Sequence, residues 1–465
     1  MTRLLSPDSL RMRFAEALTQ MYQEEVPRFA QLTELVQDIN AQVVADDDNL
    51  RNRLQADGEL ERLGMVRHGA IRVGLPSELS TLRRVFAVLG MQPVSYYDLS
   101  EAGIPVHSTA FRPTDPEELK TSPFRIFTSL LRLELIEDEA LRRQARERLE
   151  QRQIFTPRLL QLLEQAEQAG GLDESSAETF VEEALQTFRW HQDATVSQDQ
   201  YQRFLSAHRL VADIVCFRGP HINHLTPRSL DIDRVQQAMT EAGFDAKKIV
   251  EGPPQRKHPI LLRQTSFNAL EEEVRFSDGV DGRHRARFGE IEQRGMALTR
   301  RGRALYDKLL AEVRSEAPNP QQDPRGYEQN LQRVFSRFPD DIGELRQQGL
   351  AWFRYLPGPK AASDPGTPLD ELLKQGLLSV DPVTYEDFLP VSAAGIFRSN
   401  LGEGETRSFA GSPNQAAFEA ALGAKVLDEF ECYAAIQHDS LERSLKQLGY
   451  TEEQCAELLR QLPTP

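Results

Sequence analysis

Arg67-His68-Gly69-Ala70-Ile71-Arg72, the middle of residues 65–73, reads as a strand that carries chemistry. Side chains alternate sides along a strand, so residues two and four apart share a face. His68, Ala70 and Arg72 therefore point the same way, with the Cα atoms of His68 and Arg72 about 13 Å apart. A ligand held at His68 and gripped at Arg72 would be a small acid of several carbons. The same histidine could equally be a satisfied core group, because most buried polar side chains exist only as hydrogen-bonded partners.

Two other stretches offer matching chemistry. Gly219-Pro220-His221-Ile222-Asn223-His224-Leu225-Thr226-Pro227-Arg228 follows an apolar run, and Arg287-Phe288-Gly289-Glu290-Ile291-Glu292-Gln293-Arg294-Gly295 alternates. Spacing does not choose between His221 and His224, and Asn223 and Thr226 are placed to orient a ligand imidazole through its other nitrogen. Alternation puts Phe288, Glu290 and Glu292 on one face, where carboxylates need a metal or a cation; the arginines at 285, 287 and 294 offer the plainer pairing. Two imidazoles and one carboxylate on one face of a divalent iron leave positions open for substrate and oxygen. His107 lies on a third strand, and its role stays open. The remaining histidines, His284 among them, read as surface or structural.

Around these stretches the chain mixes helices and strands in an α+β pattern. Ser6-Pro7 starts a helix through Leu10, Phe14, Leu18, Met21 and Tyr22, and a second helix carries Phe29, Leu32 and Val36. A helix over 76–89 ends at Gly90, and strands follow at 94–99, 105–111 and 124–136. Residues 137–208 are charged and poor in β-branched residues, which predicts a helical insertion. Residues 210–217 and 284–294 read as strands, and 297–315, 326–338 and 415–465 as helical. No internal repeat of fixed period is visible. The whole, 1–465, reads as a single catalytic unit.

The composition narrows the partners. The 71 acidic against 55 basic residues give a net charge of −16. Such a surface repels nucleic-acid backbones and anionic membranes, so a site for an anionic substrate must supply its own arginines. Only three cysteines occur, with no C-x-x-C pair. Together with an N-terminus that lacks an apolar stretch and the absence of a long apolar run, that points to the cytoplasm. Oligomeric state is not legible.

Taken together, these blocks resemble the 2-oxoadipate dioxygenase/decarboxylase family, also called hydroxyglutarate synthases. The blocks are Arg67–Gly74, Val106–Arg112, Gly219–Arg228, His258–Phe267, Phe288–Gly295 and Tyr385–Phe397. The resemblance implies metal ligands His68, His224 and Glu290, a substrate-binding and catalytic Arg72, and a substrate contact at Val391 through its main chain. It implies a curved, vicinal-oxygen-chelate-like sheet cupping Fe(II), surrounded by helices. The implied reaction takes 2-oxoadipate and O2 to 2-hydroxyglutarate and CO2 in lysine breakdown. Two other classes remain: an oxygen-independent, metal-dependent isomerase or lyase on a 2-oxo acid, and a non-catalytic metabolite-binding protein.

Overall fold

The computed structural model describes residues 3–56, 58–358, 367–389 and 413–463. The chain forms two compact units. One comprises residues 1–250, 264–293 and 388–427, and the other 251–263, 294–387 and 428–465.

The first unit is built on a seven-stranded curved sheet, and its order shows a repeated topology. Strand β1 (Val66–Val73) is followed by helix Pro76–Val88, β2 (Gln92–Asp98), β3 (Val106–Arg112) and β4 (Arg125–Leu131). β4 returns to lie parallel to β1, giving the order β2-β3-β4-β1. The second half starts again with β5 (Ile222–Pro227) and helix Ile232–Glu241, then β6 (Leu262–Ser266), β7 (Glu271–Arg275), β8 (Asp281–Arg285) and β9 (Phe288–Arg294). β9 lies parallel to β5, with β6 outside it, while β7 and β8 leave the sheet as a separate hairpin. The two halves join where β1 and β5 run antiparallel, Ala70 opposite His224. No fixed sequence period betrays this repeat, because the connections in the two halves differ in length.

Every residue of β1 is buried, as a central strand covered on both faces requires. Gly69 lets β1 and β5 close on each other: a Cβ there would meet Ile222 Cδ1 at 2.8 Å and the His224 carbonyl at 3.1 Å. Behind the sheet lies the helix Pro7–Glu25, capped by Ser6 as expected, with Phe14, Leu18 and Tyr22 buried. The Tyr22 hydroxyl reaches two sheet carbonyls, Phe288 O at 2.8 Å and Asn223 O at 3.0 Å, tying β9 to β5. Gly289 faces the same way as that helix layer, where a Cβ would collide with Phe267, Leu32 and Phe29.

Residues 137–208 carry four helices, Glu139–Glu150, Pro157–Ala169, Glu174–Leu185 and Gln198–Ala207. Three strand expectations are corrected. Residues 210–217 are mostly helix: Arg209–Val215 is α-helical, N-capped by His208, with Leu210 to Val215 all buried. A short, wholly buried apolar run carries no periodicity that separates strand from helix. The stretch 284–294 is not one strand but the end of β8 and the whole of β9. Residues 124–136 also stop being strand at Leu131 and end in a short 3-10 turn, Leu133–Leu135.

The second unit pairs β10 (Phe353–Pro357) with β11 (Leu378–Pro382) among helices. Helix Glu429–Gln447 covers the open edge of β10. Gln437 Oε1 and Ser440 Oγ accept from the Phe353 and Tyr355 amides at 3.0 and 3.1 Å, and Ser444 Oγ donates to the Tyr355 carbonyl at 2.9 Å. An edge so satisfied cannot recruit another strand. No helix among the described residues is long and apolar enough to cross a membrane.

Candidate metal centre

His68, His224 and Glu290 meet where the two halves of the sheet join. Each offers one ligand atom, these atoms lie within 4.8 Å of one another, and all three residues are buried. His68 comes from β1, His224 from β5 and Glu290 from β9. His68 Nε2 is 2.9 Å from Glu290 Oε1, and His224 Nε2 is 3.9 Å from the same oxygen. Bonds of roughly 2.0–2.2 Å to one ion would need only small side-chain shifts from these positions.

The surroundings set each group's state. Glu290 Oε1 accepts from Gln264 Nε2 at 2.6 Å and from Thr226 Oγ1 at 3.2 Å. Glu290 Oε2 and His224 Nδ1 are buried with no hydrogen-bond partner. A buried carboxylate oxygen left so is costly unless a cation completes it, and the donor set of two imidazoles and a carboxylate fits a divalent ion. Burial, joined by the nearby His68 and Arg72, holds the His224 imidazole well below its ordinary pKa, so it stays neutral with a lone pair to offer. Phe388 stands edge-on to His68 at 4.8 Å, and Phe288 lies at 4.7 Å from His224. Both rings pack against the two imidazoles of the cluster.

Glu292 has a part that alternation alone did not assign. Its Oε2 lies 2.7 Å from His68 Nδ1, on the side of the ring away from Glu290. With an ion at Nε2, the remaining ring proton sits on Nδ1, and Glu292 accepts it. Glu290 and Glu292 therefore share a strand face, as read from the sequence, and bracket one imidazole from two sides.

Other expectations are corrected. Asn223 does not orient a ligand: its Nδ2 is 3.1 Å from His221 Nε2. Thr226 stands on the Nε2 side of His68, 3.1 Å away, rather than behind the ring. His221 is buried against Trp190, ring centroids 4.8 Å apart, and burial pulls its pKa down to about 3. His107 lies on β3 beside Tyr96 and Phe418, 4.7 Å from the latter ring, outside the cluster. His284 is structural as expected, but buried rather than at the surface. Val391 lies outside the described residues.

Arg72 is buried on β1, and its Nη1 donates to Asp213 Oδ2 at 2.9 Å. Burial opposes charge on Asp213, yet His221, His284 and Arg72 hold its carboxyl far below the usual carboxylate range. Of these neighbours only the guanidinium is permanently charged. Asp213 and Gln264 went unnoticed in the sequence. A lone aspartate inside the apolar run Leu210-Val211-Ala212-Asp213-Ile214-Val215 was the available signal for the first.

The sequence model of the 2-oxoadipate dioxygenase/decarboxylase family matches residues 14–400. A protein of that name from Escherichia coli K12 is 54% identical over 455 residues, covering 97% of this chain and all of that protein. One from Mycobacterium bovis is 38% identical over 452 residues, covering 94% of this chain and 99% of the other. The crystal structure of the hydroxyglutarate synthase from Pseudomonas putida in complex with 2-oxoadipate superposes with a TM-score of 0.90 at 53% identity, covering 97% of this chain and all of that one.

Proposed function

The chain belongs to the 2-oxoadipate dioxygenase/decarboxylase family, and from that premise we propose that it is an Fe(II)-dependent enzyme converting 2-oxoadipate and O2 to 2-hydroxyglutarate and CO2. The observation that carries the metal reading is the buried cluster of His68, His224 and Glu290. The substrate reading follows from the relatives' name and from the Pseudomonas putida complex with 2-oxoadipate. The place of the reaction is lysine breakdown, in the cytoplasm.

His68, His224 and Glu290 would hold the iron, which when bound supplies oxygen activation and open positions for a 2-oxo acid. The protein's own groups do the rest. Glu292 keeps the His68 proton on Nδ1. Gln264 and Thr226 donate to Glu290 Oε1 and fix the carboxylate's rotation. Phe288 and Phe388 exclude water. Arg72 presents a guanidinium from the same strand face as His68, and its forked donors suit the carboxylate of the substrate distal to the metal.

The test is anaerobic loading with Fe(II) followed by oxygen-electrode assay on a panel of 2-oxo acids. One O2 consumed per CO2 released, with label from heavy O2 in the organic product, is the expected result. Full turnover without oxygen would replace this reading by an isomerase or lyase.

A further inference from the structure

Arg72 is held from behind by a chain of buried groups that the reaction does not itself require. Asp213 uses both carboxylate oxygens: Oδ2 accepts from Arg72 Nη1 at 2.9 Å, and Oδ1 accepts from His284 Nε2 at 2.9 Å. His284 Nδ1 in turn lies 2.8 Å from the Tyr201 hydroxyl. Burial pushes the Tyr201 phenol up to about 12, so it acts as a donor. With its proton on Nε2, His284 donates to Asp213 Oδ1 and accepts the Tyr201 hydroxyl at Nδ1.

The three supports come from separate elements. Tyr201 is on the helix Gln198–Ala207, Asp213 on the helix Arg209–Val215 and His284 on β8. Asp213 is 5% exposed and His284 2%. A buried ion pair contributes little net stability, because desolvation opposes the attraction, so its geometry is the better reason for its presence. An arginine side chain has many rotamers, and a guanidinium fixed at one nitrogen by a carboxylate that is itself fixed at its second oxygen has few. Misplacement by an ångström of a group that positions substrate costs about a hundredfold in rate.

We propose that Asp213, steadied by His284 and Tyr201, is the positioning residue for Arg72, and that this chain of side chains sets the preference for dicarboxylic over monocarboxylic 2-oxo acids. The inference rests on the reading above that Arg72 meets the substrate's distal carboxylate.

The experiment compares kcat and KM for 2-oxoadipate and for 2-oxohexanoate, which has the same chain length but no distal carboxylate. The enzymes are wild type, Asp213→Ala, Asp213→Asn, Arg72→Lys and the double variant Asp213→Ala/Arg72→Lys, each with its iron content measured. Asp213→Ala should lose at least about tenfold in kcat/KM on 2-oxoadipate, mainly through KM, and under about threefold on 2-oxohexanoate, with iron retained. Asp213→Asn keeps one acceptor oxygen and should lose less, about three- to tenfold, with the same selectivity. In the Arg72→Lys background the Asp213→Ala loss should largely vanish, since residues acting as a unit are not additive. Equal losses on the two substrates, no loss, or full additivity, in whichever Asp213 variant folds, overturns the inference. If Arg72→Lys itself loses equally on both substrates, the reading of Arg72 fails instead.

Discussion

Glu292→Gln should weaken Fe(II) binding about ten- to a hundredfold while leaving the fold intact. The carboxylate sits 2.7 Å from His68 Nδ1, and both residues are about 1% exposed, so solvent cannot replace it. Glutamine is nearly the same size, and its carbonyl can still accept the Nδ1 proton. What is lost is the charge. A hydrogen bond to a charged group contributes about 1.5–3 kcal/mol and a neutral one about 0.5–1.5, a midpoint difference of about 1.25 kcal/mol, or just under tenfold in Kd. The lost anion also lowers the basicity of the opposite ring nitrogen, which moves the effect towards a hundredfold, the usual upper range for such outer partners. The assay is an anaerobic chelator-competition titration of Fe(II), with turnover measured at saturating metal. At saturation, activity should recover to within about tenfold of wild type. An unchanged Kd would refute the orienting role. Loss of iron as complete as in Glu290→Ala would refute it differently, by making Glu292 a ligand.

His68→Ala, His224→Ala and Glu290→Ala should each abolish tight iron binding and turnover while folding, and His221→Ala should keep iron; metal analysis of the purified variants decides. Arg72→Lys should leave iron in place but lower kcat/KM for 2-oxoadipate by about 30-fold to several thousandfold, on the basis of about 2–5 kcal/mol for breaking a buried charge pair. Equal loss on a 2-oxo acid without the distal carboxylate would contradict the assigned contact. Burial, with Arg132 adding to it, holds His107 at about pKa 4, below the roughly 6.5 of an unfolded histidine. The unfolded chain therefore takes up a proton first, so this contribution to stability is full above pH about 6.5 and is lost as pH falls towards 4. Between pH 7 and 5 that loss is about 2 kcal/mol, and His107→Gln should flatten the decline of Tm over this range. An equally steep decline in the variant would show that other groups govern acid unfolding.

Much of the centre was legible because strand alternation is a strong local signal. It put His68 with Arg72 and Glu290 with Glu292 on shared faces, and the structure keeps Glu290 and Glu292 on one face. Alternation could not say which glutamate stands on which side of the His68 ring, because that depends on the register between distant strands. Nor could it choose between His221 and His224, three residues apart at a strand entrance. Resemblance made both choices, and the structure gathers the chosen residues. The helix Arg209–Val215 was misread because burial on all sides erases the pattern that periodicity needs. Asp213 went with it, although a charge in so apolar a run implies a buried partner.

The joining of β1 to β5 at Gly69 has a consequence for how the protein comes into being. His68 and Glu290 are 222 residues apart, and His224 reaches them only through that non-local pairing. Closing such long loops comes late in folding, after local helices have formed. A chain emerging from the ribosome presents two histidines long before β9 supplies the glutamate. A metal held by these three groups could not therefore template early collapse, as structural zinc does in small domains. Metal capture would then be a terminal step of maturation, and a chain truncated before β9 should be unable to complete it.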